Sequence, residues 1–215
     1  MRLTDASGTT RWQPANRRDP CHFGSVPHES FTWTNQGTGT ATQRGGAVLL
    51  TAPAATGDLW RVRYLTAPAP PYSLVAAFWP LLMPSLLVTE APAVAVGWRD
   101  GGFGSLALFR IYYDNGTQFT LAADFSHWGS PSIFSAVAAG PVYTDWLQLS
   151  GAVWVRLRDD GTNRHVALSP DGQDWSTWAT EARANFLTPT QLCFAANADN
   201  VNYPAIMKIL EWRYE

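Results

Sequence analysis

Charge is what this chain has least of. Acidic and basic residues make up 15% of its 215 residues and nearly cancel, leaving a formal net charge of −2. No basic run is longer than Arg17-Arg18, so the clustered Lys and Arg that neutralise nucleic-acid phosphates are missing and no nucleic-acid partner is expected. Cysteine is scarce too. Cys21 and Cys193 are the two thiols, too few for a disulfide framework, and free thiols are the expectation. No apolar run approaches the roughly 18 residues of a membrane-spanning helix, so no membrane span is expected. The opening MRLTDASGTT holds no apolar segment of the secretory kind, which points to synthesis in a cytosol.

Reactive motifs are equally sparse. No G-x-S-x-G elbow occurs, nor a Cys and His pair with supporting context, so nucleophilic catalysis has no foothold. Gly101-Gly102-Phe103-Gly104 lacks the Lys-Ser/Thr and the following helix of a phosphate loop. Cys21-His22 with His28 stops short of the about four ligands a zinc site gathers, so neither metal nor cofactor is expected. Asp114-Asn115-Gly116 and Asp159-Asp160-Gly161-Thr162-Asn163 offer oxygens that suit calcium, but Asp and Asn before Gly are what hairpins demand, and both are read as turns.

What the chain does have is apolar and aromatic. Hydrophobic residues reach 46% and Trp numbers 11, enough for a core and more Trp than a core needs. Several are expected on a ligand face, a subunit interface or the underside of a loop. Residues 152 to 178 carry the clearest pattern. Val153, Val155 and Leu157 alternate with Trp154, Arg156 and Arg158, the period of a strand with two distinct faces. Asp160-Gly161 permits a tight hairpin, Val166 and Leu168 resume the alternation, and Ser169-Pro170-Asp171-Gly172 turns the chain again toward Trp175 and Trp178.

Similar periods place strands at 31–35 continued by 38–42, and at 47–51, 58–65, 72–80, 92–99, 103–113, 118–126, 191–196 and 205–214. Residues 127–142, punctuated by Gly, Ser and Pro, read as a long loop, and 181–186 as a helical turn. Residues 81–91, LLMPSLLVTEA, read equally as a short helix, a central strand or an exposed apolar loop, buried within the domain or against a partner. Residues 1–30 are polar, with Pro14, Pro20 and Pro27, and form an extended N-terminal arm that docks on another subunit or folds back on its own domain. About a dozen short strands at 8 to 12 residue spacing make the fold class all-β, an antiparallel two-sheet sandwich over residues 31–215.

The phrase W-V-R-L-R-D-D-G-T-N-R followed by S-P-D-G-Q-D-W resembles the concanavalin A-like lectin/glucanase domains found among the accessory proteins of tailed bacteriophages. Residues 31–38, FTWTNQGT, and 188–191, TPTQ, are similar to the same group, so the resemblance spans roughly residues 30 to 215. It implies a jelly-roll order of strands and a place in a virion. Glucanases on that fold carry Glu-x-Asp-x-x-Glu on one strand, an acid and a nucleophile flanking one glycosidic bond. No such string is present; Glu211 to Glu215 lacks the central Asp.

The function expected on these grounds is non-enzymatic: a virion structural or accessory protein, as capsid decoration, fibre or tail adhesin, with glycan binding on an aromatic face. The alternatives are a carbohydrate-binding module without a structural role and, behind it, a glycoside hydrolase. Trp98, Tyr112, Trp128 and Trp154 are the candidates for the glycan face, from aromatic placement near loops. The expected partners are other virion proteins, through the arm and the 81–91 stretch, a host-surface glycan and further copies of the chain.

Overall fold

A computed structural model describes residues 2–4, 10–12, 26–54, 57–83, 91–114, 120–143, 152–199 and 202–215. In chain order the strands are β1 (Arg2–Thr4), β2 (Thr10–Trp12), β3 (Thr32–Thr34), β4 (Thr40–Arg44), β5 (Ala47–Ala52), β6 (Arg61–Thr66), β7 (Tyr72–Leu81) and β8 (Ala93–Arg99). They continue as β9 (Leu106–Asp114), β10 (Thr120–Ser130), β11 (Ile133–Tyr143), β12 (Val153–Asp159), β13 (Asn163–Ser169), β14 (Ser176–Ala182), β15 (Gln191–Asn197) and β16 (Ala205–Tyr214). Among the described residues the one helical element is a 3-10 turn at His28–Ser30, and no helix is long and apolar enough to cross a membrane.

Apart from the small β1–β2 pair, the strands form two seven-stranded sheets, β11-β10-β9-β8-β15-β6-β3 and β14-β13-β12-β7-β16-β5-β4. Every pairing in both is antiparallel. The antiparallel two-sheet sandwich expected from the alternation is therefore what the chain builds. Its main core lies between the layers, where Val94, Val96 and Phe109 of the first sheet meet Leu74, Leu157 and Ile209 of the second, all fully buried. Phe31, Phe194 and Trp212 close one end of this layer with ring centroids 4.7 to 5.8 Å apart.

The crossing between sheets after β3 is held by arginines. Asn35 and Gly37 both take φ of 52°, which ends β3, so residues 38–42 do not prolong that strand but start β4 in the opposite sheet. Arg61 Nη1 donates to the Asn35 carbonyl at 3.1 Å, and Arg63 Nη2 to the His28 carbonyl at 2.8 Å and to that of Phe31. Both arginines are buried, their donors satisfying carbonyls that the irregular backbone leaves without ladder partners.

The turn phrases resolve into local hydrogen bonds. Asp160 Oδ1 accepts from the Thr162 and Asn163 N–H groups at 2.8 and 2.7 Å, while the fully buried Asp159 takes the Gly161 N–H at 2.9 Å and pairs with Arg183 Nε at 2.8 Å. Ser169 Oγ accepts from Gly172 N–H at 2.8 Å, and Asp171 Oδ1 from Gln173 and Asp174 at 3.0 and 3.1 Å. These oxygens serve turns.

Two further expectations need correction. Residues 127–142 are not a loop: β10 and β11 run through them, and their Gly and Ser residues are taken up in four register shifts along the pair, with Gly140 at φ 101°. Extra residues bulge out and the ladder continues. Residues 181–186 finish β14 and then turn, with Asn185 N–H donating to the Ala182 carbonyl at 2.9 Å, so no helix forms. Leu81 ends β7, Leu82 packs on the core and Met83 is exposed; residues 84–90 of the apolar stretch lie outside the described residues, as do Cys21 and His22. Val26, within the stretch read as arm, is 1% exposed and packs in the main core. Cys193 is a free, buried thiol.

Gly97 is fixed by a close approach in the middle of the first sheet. A Cβ there would meet the Ala107 carbonyl oxygen at 2.1 Å, a backbone atom that cannot step aside. Gly97→Ala is expected to lower the unfolding free energy by about 3 kcal/mol or more, read from the urea midpoint; an unchanged midpoint would contradict the close approach.

Candidate functional site

The first sheet curls toward its outer face. Three strands separate β10 from β6, which in a flat sheet would hold them about 19 Å apart. Yet the ring of Trp60, just before β6, meets that of Trp128 on β10 with centroids 5.5 Å apart, and Trp60 N–H donates to the Pro131 carbonyl at 2.9 Å. The outer face is therefore concave, and its middle is filled. Small residues form the floor, among them Ala93, Ala95, Cys193 and Ala195, and Trp60, Trp128, Leu106 and Leu108 cover it. Burial pushes the Cys193 thiol up to about 12, out of the range where a thiolate could act.

The polar part of this face lies beside that plug. Arg110 on β9 stands directly opposite Asp124 on β10. Its Nε and Nη2 donate to Asp124 Oδ1 and Oδ2, both at 2.7 Å, a two-point pair that leaves Nη1 outside. The Asp124 side chain is fully buried while that of Arg110 keeps 14% of its surface exposed. Three rings frame the guanidinium: its Cζ lies 4.4 Å from the centroid of Tyr112 and 5.7 Å from those of Trp128 and Phe134. Tyr112 is half-buried and Phe134 is 44% exposed.

A second polar group lies nearby on the same sheet, where Asn197 pairs with Ala93 and Ala93 with Tyr112. Asn197 Oδ1 accepts from the Leu59 and Asp199 N–H groups at 3.0 and 3.1 Å, and its Nδ2 donates to Asp58 Oδ1 at 2.9 Å. Ala91 N–H donates to Asp199 Oδ2 at 2.7 Å. Burial pushes the Asp199 carboxyl up to about 6; the Ala91 N–H lowers it, Asp58, which shares a side-chain hydrogen bond with it, raises it, and Arg110 lowers it. A carboxyl perturbed in this way, beside a framed guanidinium and an exposed ring, marks the place as the candidate binding region.

Solved structures with the same arrangement of strands include the carbohydrate-binding module CBM66 from Bacillus subtilis, with TM-score 0.52 at 11% identity over 86% of this chain and 95% of that one. Lectin I-B4 from Griffonia simplicifolia, in its metal-free form, overlaps with TM-score 0.50 at 15% identity over 91% and 96%. The alginate lyase from Klebsiella pneumoniae overlaps with TM-score 0.54 at 12% identity over 83% and 84%. The fold is a concanavalin A-like sandwich. At these identities the likeness is one of fold alone; no family model matches the chain, and no curated protein does.

Within this sandwich the four aromatics named from the sequence do not share a face. Trp98 points between the sheets, fully buried, with its Nε1 donating to Tyr72 Oη at 3.1 Å. Trp128 is on the concave face but 1% exposed, closed in by Trp60 and Phe134, and its Nε1 donates to Ser126 Oγ at 3.1 Å. Tyr112 lies in the candidate region, and Trp154 belongs to the other sheet. None of Arg110, Asp124, Phe134 and Asp199 was read from the sequence as part of a glycan face. A signal was there: folding 106–114 back on 120–130 sets Arg110 against Asp124, opposite charges within apolar strands.

The carboxylates here are engaged with neighbours. Asp124 is held by Arg110, and Asp58 and Asp199 are within a hydrogen bond of each other, closer than the about 5 Å or about 6.5–9.5 Å separations of glycosidase pairs. Among the described residues no group of three or more His, Cys, Asp or Glu is placed to hold a metal ion.

The pKa of Asp199 sets a pH test. Its folded value, about 6, lies above the ordinary 3.8, so the native state binds the proton more tightly, and this residue's contribution is most favourable in acid and is lost as pH rises through about 6. Asn at this position keeps an acceptor for Ala91 and carries no charge. Asp199→Asn is expected to gain stability relative to the parent as pH rises from 4 to 8, read as the difference in urea midpoints; a pH-independent difference would contradict the assignment.

Proposed function

We propose that this domain binds carbohydrate without cleaving it, at the open end of the concave face. Phe134 and Tyr112 offer ring surface to the apolar side of a sugar, and Arg110, fixed by Asp124, turns Nη1 toward its hydroxyls. The observation that carries this is the guanidinium framed by three rings beside a half-exposed phenylalanine. The folds of a carbohydrate-binding module and a lectin support it as a general scaffold for the task. The carboxylates paired with Arg110 or with one another favour binding over hydrolysis.

The proposal extends to setting. The turn phrases at 154–175 and the strand at 31–38 resemble phage accessory domains, which supports a virion component, as capsid decoration, fibre or tail adhesin, whose ligand is a host-surface glycan. Partners within the particle, including further copies of the chain, follow from the same resemblance. Mass spectrometry of purified particles from the genome that encodes the chain is expected to find it as a stoichiometric component; its absence would restrict the proposal to a free binding module.

On a glycan array the parent is expected to bind a defined set of sugars and Phe134→Ala to bind them about tenfold more weakly, the worth of one ring contact. No reducing ends should be released from the bound glycans. Binding to no glycan, or release of reducing ends, would overturn the proposal.

A further inference from the structure

The opposite surface of the molecule carries a different kind of face. On the outer side of the second sheet, β7 exposes Trp79, β12 presents Trp154, Arg156 and Arg158, and β16 presents Lys208. Lys208 stands opposite Trp79, with its Nζ 5.2 Å from the ring centroid. Trp154 stands opposite Ala77, which makes it the diagonal neighbour of Trp79 across the strand pair, about 7–8 Å away. Arg156 follows on the same face of β12, its Cζ 4.9 Å from the Trp175 centroid, and Arg158 follows it opposite Ser73. The five side chains form a diagonal band, cation, ring, ring, cation, cation, which spans about 20 Å along β7 from Trp79 to Ser73.

The band is built. Gly172, at φ 76°, lets the β13–β14 turn lie on the Trp154 ring, where a Cβ would come within 2.7 Å of Cε3. Trp175 from the same turn region positions Arg156. A bulge between Ile209 and Glu211 turns Leu210 under Trp154 and brings Glu211 to the same face. Glu211 and Glu215 are both taken by Arg213, the latter at 2.7 Å. Likewise His165 Nε2 lies 2.9 Å from Asp160 Oδ2. Among the described residues Lys208, Arg156 and Arg158 make no ion pair with a carboxylate, although the whole chain has 17 acidic residues against 15 basic ones. Of the two acids in the β13–β14 turn, Asp171 Oδ1 accepts from the Gln173 and Asp174 N–H groups at 3.0 and 3.1 Å, and Asp174 is exposed.

We propose that this face binds an acidic polysaccharide, with its carboxylate or sulfate groups on Lys208, Arg156 and Arg158 and its sugar rings on Trp79 and against the part of Trp154 that the turn leaves uncovered. Three cations in a line with rings between them match a chain that alternates charge with apolar sugar faces. They are too few and too widely spaced for the dense phosphate lattice of a nucleic acid. The site is independent of the concave one. It shares no residue with it, so either can fail alone.

The test uses the full chain and four polymers: polygalacturonate, dextran sulfate, uncharged dextran and a DNA duplex. Polygalacturonate and dextran sulfate are expected to bind more tightly than dextran, with affinity falling as NaCl is raised, and binding to one of them alone would identify the preferred anion. The triple variant Arg156→Gln, Arg158→Gln, Lys208→Gln is expected to lose about tenfold or more of that affinity. Phe134→Ala should leave it unchanged. An acidic polymer bound equally well by the triple variant, no acidic polymer bound by the parent, or DNA bound as tightly as either polysaccharide would overturn the proposal. A changed urea midpoint in the triple variant would call for Arg158→Gln alone, whose exposed side chain makes none of the ring contacts described, and this single variant must still weaken binding.

Discussion

The curl of the first sheet is the constraint on which the rest depends. A sandwich sheet normally buries one face and gives the other to water; here both are largely buried, because the sheet bends until Trp60 and Trp128 meet and the Trp60 N–H reaches the Pro131 carbonyl. The bend needs a floor of small residues, and Gly97, Ala95 and Cys193 supply it. It also decides where a ligand can go. The middle of the concavity is occupied by the chain's own indoles, and a polar, half-open end lies around Arg110.

There a second interaction takes over. A carboxylate as deeply buried as Asp124 is costly unless paired, and removing its partner would cost about 3–5 kcal/mol. The two-point contact with Arg110 meets that need and at the same time pins a guanidinium between rings, a placement it would not hold as a free surface side chain. A structural requirement of the strand pair and the preparation of the proposed binding group thus come from one contact. The second sheet reaches order on its outer side by different means, with indoles beside Arg156 and Lys208, which among the described residues carry no carboxylate partner.

The strands were readable because alternation at period two survives in a sheet whichever face is buried, and Val153 to Leu157 shows it plainly. Turns were readable because Asp-Gly and Ser-Pro-Asp-Gly act through their own backbone. The β10–β11 hairpin was missed since bulges hide the period, and the crossing at Asn35 since a short left-handed turn at Asn35 and Gly37 leaves little trace. The site was mostly hidden. Aromatic placement named Tyr112, which lies in the candidate region, but also Trp98, which fills the space between the sheets; nothing local distinguishes an indole that packs from one that binds. What sets them apart is curvature, a property of seven strands together. The Arg110–Asp124 pair, by contrast, was within reach once the two strands are laid antiparallel.

The account stands or falls on sugar contacting the framed guanidinium. A two-dimensional NMR titration with a glycan taken from array binding reads this directly, through the Arg110 Nε–H resonance and the ring protons of Tyr112 and Phe134. Saturable shifts at those three residues, with the Trp98 indole N–H unmoved, are the expected result. Shifts confined to the second sheet, or centred on residues between the layers, would contradict it.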